Sequence, residues 1–118
     1  MAISKVGVVG CGLMGGGIAQ VSAQAGYPTT VVEASRELLE RGLAAIRRNL
    51  DGLVEKGRLE AKARDAAGGR LTGSVRLEDL GDADLVIEAI TENVALKKET
   101  FGRLDQICPP PALLASNT

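Results

Sequence analysis

Three glycines near the start of the chain have the spacing G-x-G-x-x-G, at Gly10, Gly12 and Gly15. Glycines spaced in this way allow a tight turn, let backbone N–H groups approach a phosphate, and let a helix pack closely on a strand. An anion bound there would lie at the positive end of the helix dipole. Because the chain contains 15 glycines, the spacing becomes informative only if the flanking elements also fit.

The flanking elements predict a dinucleotide-binding βαβ unit. Residues 3–9 form a short, Val/Ile-rich apolar run typical of a buried parallel strand, and residues 13–25 have the composition of a helix. Thr29–Val32 predicts a second strand, which ends at Glu33. Glu33 lies about 20 residues beyond the glycines, where such units place the carboxylate that binds the adenosine ribose.

The composition is that of a soluble globular domain occupying residues 1–118. The chain is 45% hydrophobic and 25% charged, with a net charge of −1 and only 2% aromatic residues, which argues against nucleic-acid binding. Residues 6–32 lack charge, but their glycines and Pro28 divide them into separate elements, so we expect no membrane span and a cytoplasmic location. We interpret Cys11 and Cys108 as packing residues.

The rest of the chain alternates between strands and helices, which predicts a doubly wound parallel sheet, the Rossmann fold. Ser35 is a candidate N-cap for a long amphipathic helix over residues 36–56. Residues 58–67 form a second predicted helix before Gly68 and Gly69, and we expect this insertion to project from the sheet. Further strands are predicted at 71–75, 84–90 and 112–115, with helical segments at 77–80 and 91–107.

The basic residues of the long helix allow two interpretations. Arg47, Arg48 and Lys56 could belong to an ordinary solvated face, or some of them could contact the phosphates of a large anionic substrate. The sequence leaves both open.

Several segments together resemble the amino-terminal part of the 3-hydroxyacyl-CoA dehydrogenases, including the bacterial 3-hydroxybutyryl-CoA dehydrogenases. These segments are V-V-G-C-G-L-M-G at 8–15, D-L-V-I-E-A at 84–89, Glu92 followed by Leu96 and Lys97, and A-S-N-T at 115–118. The resemblance covers essentially the whole chain, and S-N-T after the fifth strand is more specific than the glycine spacing.

The resemblance implies NAD as cofactor and an acyl-CoA as substrate. The implied pyrophosphate cradle consists of Gly10, Cys11, Gly12, Leu13, Met14 and Gly15. Glu33 would bind the adenosine ribose, Glu92 and Lys97 would lie against the nicotinamide half, and Asn117 would lie beside its ribose. Lys97 would also lie near the thioester, and Lys56 matches a basic position that meets CoA in some members.

The sequence also departs from the family pattern. Glu33 replaces the more common Asp, but its carboxylate still repels a 2′-phosphate and favours NAD over NADP; we interpret the nearby Arg36 as structural. The chain has no histidine. In the family, the catalytic base is a His paired with a Glu, and both residues follow S-N-T, as does a serine that binds the substrate. All three would lie beyond Thr118, together with the helical domain that forms most of the dimer contact. We therefore expect a fragment, incomplete at its carboxyl side, that binds NAD without catalysing alone.

Other functions stay open at this point. A free-standing NAD(H)-sensing module would need no base, and a structural or interaction fragment would need no intact glycine turn. Among enzymes, a 3-hydroxyacid dehydrogenase with a non-CoA substrate is the alternative.

Overall fold

A five-stranded parallel sheet forms the centre of the protein in a computed structural model that describes residues 4–10, 12–89, 94–107 and 113–116. The strands are β1 (Val6–Val9), β2 (Thr29–Val32), β3 (Leu71–Ser74), β4 (Leu85–Glu88) and β5 (Leu113–Ser116). Their order across the sheet is β3-β2-β1-β4-β5, and all four pairings are parallel. This arrangement confirms the predicted doubly wound Rossmann fold.

Four α-helices and one 3₁₀ turn connect the strands. The helices are α1 (Leu13–Gln24), α2 (Arg36–Glu55), α3 (Ala61–Gly69) and α4 (Val94–Ile107), and the 3₁₀ turn covers Leu77–Leu80. The connection between each strand and the next returns the chain to the amino edge of the sheet, as a parallel pairing requires, and α2 and α3 together form the connection from β2 to β3. Among the described residues, no helix combines the length and apolar character needed to cross a membrane.

The two faces of the sheet are covered by different elements because successive strand residues point in opposite directions. Val6, Val8 and Val31 pack with buried residues of α1, α2 and α3, among them Leu39 and Ile46. On the other face lies a second cluster, which comprises Val9, Val32, Leu77, Leu80, Ala83, Val86 and Leu104. A fully buried side chain of this kind contributes about 1.5–3 kcal/mol of transfer free energy.

Two predicted features of the α2–α3 region differ from the structure. The second helix starts at Ala61 instead of residue 58, because Arg58 belongs to the cap at the end of α2: Gly57 has a φ of +70°, and the N–H of Arg58 donates back to Leu53 O at 2.9 Å. The expectation of a projecting insertion is wrong for α3. Ala67 of α3 is 1% exposed and belongs to the core, and the Arg70 guanidinium that follows donates to the carbonyl oxygen of Ala23 at 2.9 Å.

The amino edge of the sheet is fixed by Asp84, which precedes β4. Its Oδ2 accepts from the backbone N–H of Ser4 at 2.8 Å, from the Ser4 hydroxyl at 2.8 Å and from the backbone N–H of Lys5 at 3.0 Å. Lys5 also forms an ion pair with Asp82. These donors, the backbone N–H of Ser4 above all, hold the pKa of Asp84 below its ordinary value of 3.8.

Candidate functional site

The parallel register brings the residues that follow β1, β2 and β4 to one edge of the sheet. Val9 pairs with Val32 on one side and with Glu88 on the other. Backbone hydrogen bonds continue this alignment past the strand ends: the N–H of Gly10 donates to Val32 O at 2.8 Å, and the N–H of Ala89 donates to Val9 O at 2.8 Å. The carboxyl edge, where ligands bind in open α/β sheets, is therefore rigidly defined.

The glycine turn starts at Gly10, whose φ of +95° lies in the region that favours glycine. Gly15 lies directly beneath it in the first turns of α1. A Cβ on Gly15 would stand 1.9 Å from Gly10 O and 3.2 Å from the Cβ of Ala89, so no side chain fits there. Gly15 thus permits the close contact between helix and strand that the sequence predicted.

Gly12 has the opposite environment. It is exposed, and a Cβ built on it would have no atom within 4 Å. As the N-cap of α1 it supplies no side-chain oxygen to the first turn, and that turn contains no acidic residue. The first-turn N–H groups of α1 therefore donate no hydrogen bond to a capping side chain of Gly12, an arrangement that suits an anion such as a pyrophosphate.

Glu33 follows β2 and is partly exposed. Its backbone N–H donates to the carbonyl oxygen of Ser74 at 3.0 Å, and its Oε1 accepts from the N–H of Ala34 at 2.9 Å. These two bonds hold both its backbone and its carboxylate. A carboxylate that is oriented in advance loses little freedom when a ribose hydroxyl binds.

A groove of about 340 Å³ contains both Gly12 and Glu33. It lies between α1 and α2, and its lining comprises Gly12, Gly16, Gly17, Glu33, Leu38, Arg41, Gly42, Ala45, Ile46 and Asn49. The structure thus brings together the glycine turn and the acid. The open space over Gly12 and the oriented carboxylate fit the pyrophosphate and ribose of a dinucleotide.

Arg41 and Asn49 are groove residues that were missed as site candidates. Both are exposed on α2, and Arg41 forms an ion pair with Glu37 at 2.9 Å. A helical spacing of three or four residues links Leu38, Arg41, Ala45 and Asn49, and that spacing was the available signal. It was overlooked because the charged residues of an amphipathic helix are usually solvated.

Of the other predicted site residues, Lys56 lies away from the groove, and several fall wholly or partly outside the described residues. Lys56 caps the far end of α2, which spans 20 residues; at 1.5 Å per residue it lies about 30 Å from the beginning of that helix. The backbone of Leu13 and Met14 forms the first turn of α1, and the backbone of Lys97 belongs to α4. The side chains of these three residues lie outside the described part of the structure, as do Cys11, Glu92 and Asn117 entirely.

Glu88 ends β4 at the same edge but is fully buried. Within the described ranges, every buried side-chain nitrogen or oxygen has a hydrogen-bond partner. The Glu88 side chain is therefore held by a partner in its strand environment. The described residues also contain no group of three or more His, Cys, Asp or Glu side chains suited to a metal ion.

Comparisons with known proteins agree with this geometry. The family model described as "3-hydroxyacyl-CoA dehydrogenase, NAD binding domain" matches residues 5–118. The 3-hydroxybutyryl-CoA dehydrogenase of Mycobacterium tuberculosis is 48% identical over 118 residues, which cover 99% of this chain and 41% of that protein. The chain thus spans about 41% of the length of such curated relatives.

Solved structures show the same similarity. The crystal structure of FadB2 from Mycobacterium tuberculosis superposes with a TM-score of 0.98 at 47% identity, covering 100% of this chain and 42% of that one. The (S)-3-hydroxybutyryl-CoA dehydrogenase of Ralstonia eutropha superposes with a TM-score of 0.95 at 38% identity, covering 99% and 41% of the two chains.

Proposed function

Because the chain belongs to the family of NAD-binding domains of the 3-hydroxyacyl-CoA dehydrogenases, we propose that its NAD lies across the carboxyl edge of the sheet. The pyrophosphate would lie over Gly12 and the adenosine ribose would meet Glu33. The observation that carries this proposal is that one groove holds both residues. Gly10 and Gly15 support the site from below by fixing the turn against α1.

The remaining cofactor contacts come from the family resemblance. In this proposal, Cys11, Leu13 and Met14 line the pyrophosphate with their backbone, while Glu92, Lys97 and Asn117 lie against the nicotinamide half. The position of α4 supports part of this, because α4 is the helix that comes after β4, and β4 lies on the opposite side of β1 from β2 and Glu33.

Glu33 would also select between the two nicotinamide dinucleotides. A carboxylate accepts hydrogen bonds from the two ribose hydroxyls of NAD, whereas a 2′-phosphate in the same place brings two negative groups together. We therefore expect NADH to bind more tightly than NADPH.

For the whole enzyme we propose the interconversion of (S)-3-hydroxyacyl-CoA and 3-ketoacyl-CoA. NAD, when bound, supplies the hydride acceptor, and the residues of this chain bind and orient it. A base must also remove the hydroxyl proton, and the 118 residues contain no histidine. The proposal therefore assigns the base, the helical domain and a homodimer contact to the whole enzyme, in the cytoplasm, and assigns cofactor binding without catalysis to these residues.

Two lysines make the acyl-CoA contacts in this proposal. Lys97 would lie near the thioester and Lys56 would meet the CoA moiety. Lys56 is exposed at the end of α2, so its cation is accessible to a phosphate. It lies too far along the helix to touch the groove over Gly12.

Replacing Glu33 tests the cofactor site. We expect Glu33→Ala to weaken NADH binding about 10- to 100-fold, the value of a hydrogen bond to a charged group, and to reduce the preference for NADH over NADPH. Isothermal titration calorimetry with both nucleotides measures this, and Glu55→Ala at the far end of α2 is the matched control. Equal binding of NADH and NADPH by the unaltered chain, or an unchanged NADH affinity in Glu33→Ala, would contradict the assignment.

A further inference from the structure

Ser74, the last residue of β3, makes side-chain hydrogen bonds in two directions. Its side chain accepts from the backbone N–H of Arg76 at 2.9 Å and donates to the carboxylate of Asp79. Ser74 is only 7% exposed, whereas the Asp79 side chain is exposed, so the two bonds are partly buried. A hydrogen bond to a carboxylate is about twice as strong as one between neutral groups.

The backbone of the same serine holds Glu33. The carbonyl oxygen of Ser74 accepts from the N–H of Glu33 at 3.0 Å, one residue past the end of β2. Glu33 in turn accepts from the N–H of Ala34 through Oε1. A continuous path of hydrogen bonds thus runs from Asp79 through Ser74 to the backbone of Glu33.

Asp79 is itself anchored to the core. It lies in the 3₁₀ turn Leu77–Leu80, whose Leu77 and Leu80 are 9% and 0% exposed, and its backbone N–H donates to Arg76 O at 3.2 Å. The turn packs on the opposite face of the sheet from the groove between α1 and α2. Asp79 therefore lies on the face away from that groove, and its carboxylate is linked to the end of β3 through the Ser74 hydroxyl.

We infer that Ser74 and Asp79 are positioning residues for Glu33, which fix the backbone after β2 so that the carboxylate meets the adenosine ribose. This inference rests on the proposed NAD site. It makes the preference for NADH over NADPH depend on two residues outside the groove. Orientation of this kind raises affinity because the ligand no longer has to order the acid that binds it.

Two variants test the inference by the ratio of nucleotide affinities. We expect Ser74→Ala and Asp79→Asn each to weaken NADH about 3- to 10-fold in calorimetry. The affinity for NADPH should change less, because Glu33 does not favour NADPH. The ratio of the NADPH to the NADH dissociation constant should therefore fall. In a Glu33→Ala background, neither second substitution should reduce NADH affinity further.

A matched control separates positioning from general loss of stability. Asp84→Asn alters a carboxylate that ties backbone segments together at the amino edge, so it should lower the melting temperature without changing the NADH to NADPH ratio. If Ser74→Ala does not fold, Asp79→Asn provides the measurement, because the Asp79 side chain is exposed.

The outcomes distinguish the inference from the function on which it rests. Wild-type ratios in Ser74→Ala and Asp79→Asn, or losses that add fully to that of Glu33→Ala, would overturn the positioning role while leaving the NAD site intact. An unchanged NADH affinity in Glu33→Ala alone would overturn the proposed ribose site and this inference together.

Discussion

Replacing either of two glycines in the same turn should separate folding from cofactor binding. In Gly15→Ala the new Cβ would stand 1.9 Å from Gly10 O and 2.8 Å from Gly10 C, whereas ordinary contacts begin at 3.4 Å. The atoms that the new Cβ would meet belong to the backbone of Gly10, and this backbone is held in place by the hydrogen bond of 2.8 Å from Gly10 N to Val32 O. Relief requires α1 to move away from β1.

The expected cost of Gly15→Ala is at the upper end of the range for overpacked sites. We estimate about 3 kcal/mol in the free energy of unfolding, equivalent to a melting temperature roughly 10 °C lower for a domain of this size. NADH binding should fall as well, because the turn itself is displaced.

Gly12→Ala should have the reverse effect. Its Cβ would meet nothing within 4 Å, and its φ of −70° is accessible to alanine. We expect a loss of less than about 1 kcal/mol in stability, yet a weakening of NADH by about 10-fold or more, because the methyl group stands where the pyrophosphate approaches the backbone.

Thermal unfolding followed by circular dichroism, together with NADH calorimetry, measures both effects. Gly52→Ala is the control: it is in α2 with no atom within 4 Å of its Cβ, so it should gain about 0.5–1 kcal/mol in stability and keep NADH affinity. A wild-type melting temperature for Gly15→Ala, or wild-type NADH affinity for Gly12→Ala, would refute this account of the turn.

Two further predictions concern stability. Because the folded-state pKa of Asp84 is lowered, its contribution to the free energy of unfolding is present above the ordinary pKa of 3.8 and is lost as pH falls through the lower folded value. Asp84→Asn should therefore lower the midpoint of urea unfolding at pH 7 and make the decline of that midpoint between pH 5 and pH 3 less steep. Leu50→Ala removes a side chain that is 1% exposed in the core beneath α2, so urea unfolding should show a loss of about 2–5 kcal/mol.

Each of these two variants has an outcome that would contradict the structure. An Asp84→Asn chain with the same acid profile as the unaltered chain would show that the three donors from Ser4 and Lys5 do not form in solution. A Leu50→Ala loss below about 1 kcal/mol would place this side chain outside a packed core.

The sequence predicted most of the sheet because its signals are local. The apolar run at Val6–Val9, the glycine spacing and Glu33 each required only neighbouring residues to interpret, and the structure brings Gly12 and Glu33 into one groove. The first strand is nevertheless shorter than predicted, because Ser4 and Lys5 lie before it and donate hydrogen bonds to Asp84. Asp84 is 80 positions from Ser4 in the chain, so the sequence near Ser4 does not indicate this contact.

The features that were missed depend on contacts between distant parts of the chain. α3 was expected to project from the sheet, but Ala67 belongs to the core cluster and Arg70 donates to the carbonyl oxygen of Ala23 in α1. The path from Asp79 through Ser74 to Glu33 joins β3 to β2, and neither residue type signals it locally. Arg41 and Asn49 have the composition of an ordinary solvated helix face, so only the position of α1 shows that they line the groove.

If NAD lies over the glycine turn with its adenosine ribose at Glu33, an NMR titration of the ¹⁵N-labelled chain with NADH should show it. We expect saturable shifts in the backbone amide signals of Gly12, Leu13, Glu33 and Ala34, with much smaller shifts for Glu55 and Lys56 at the far end of α2. Absence of saturable shifts at millimolar NADH, or shifts centred on the far end of α2, would contradict this position of NAD.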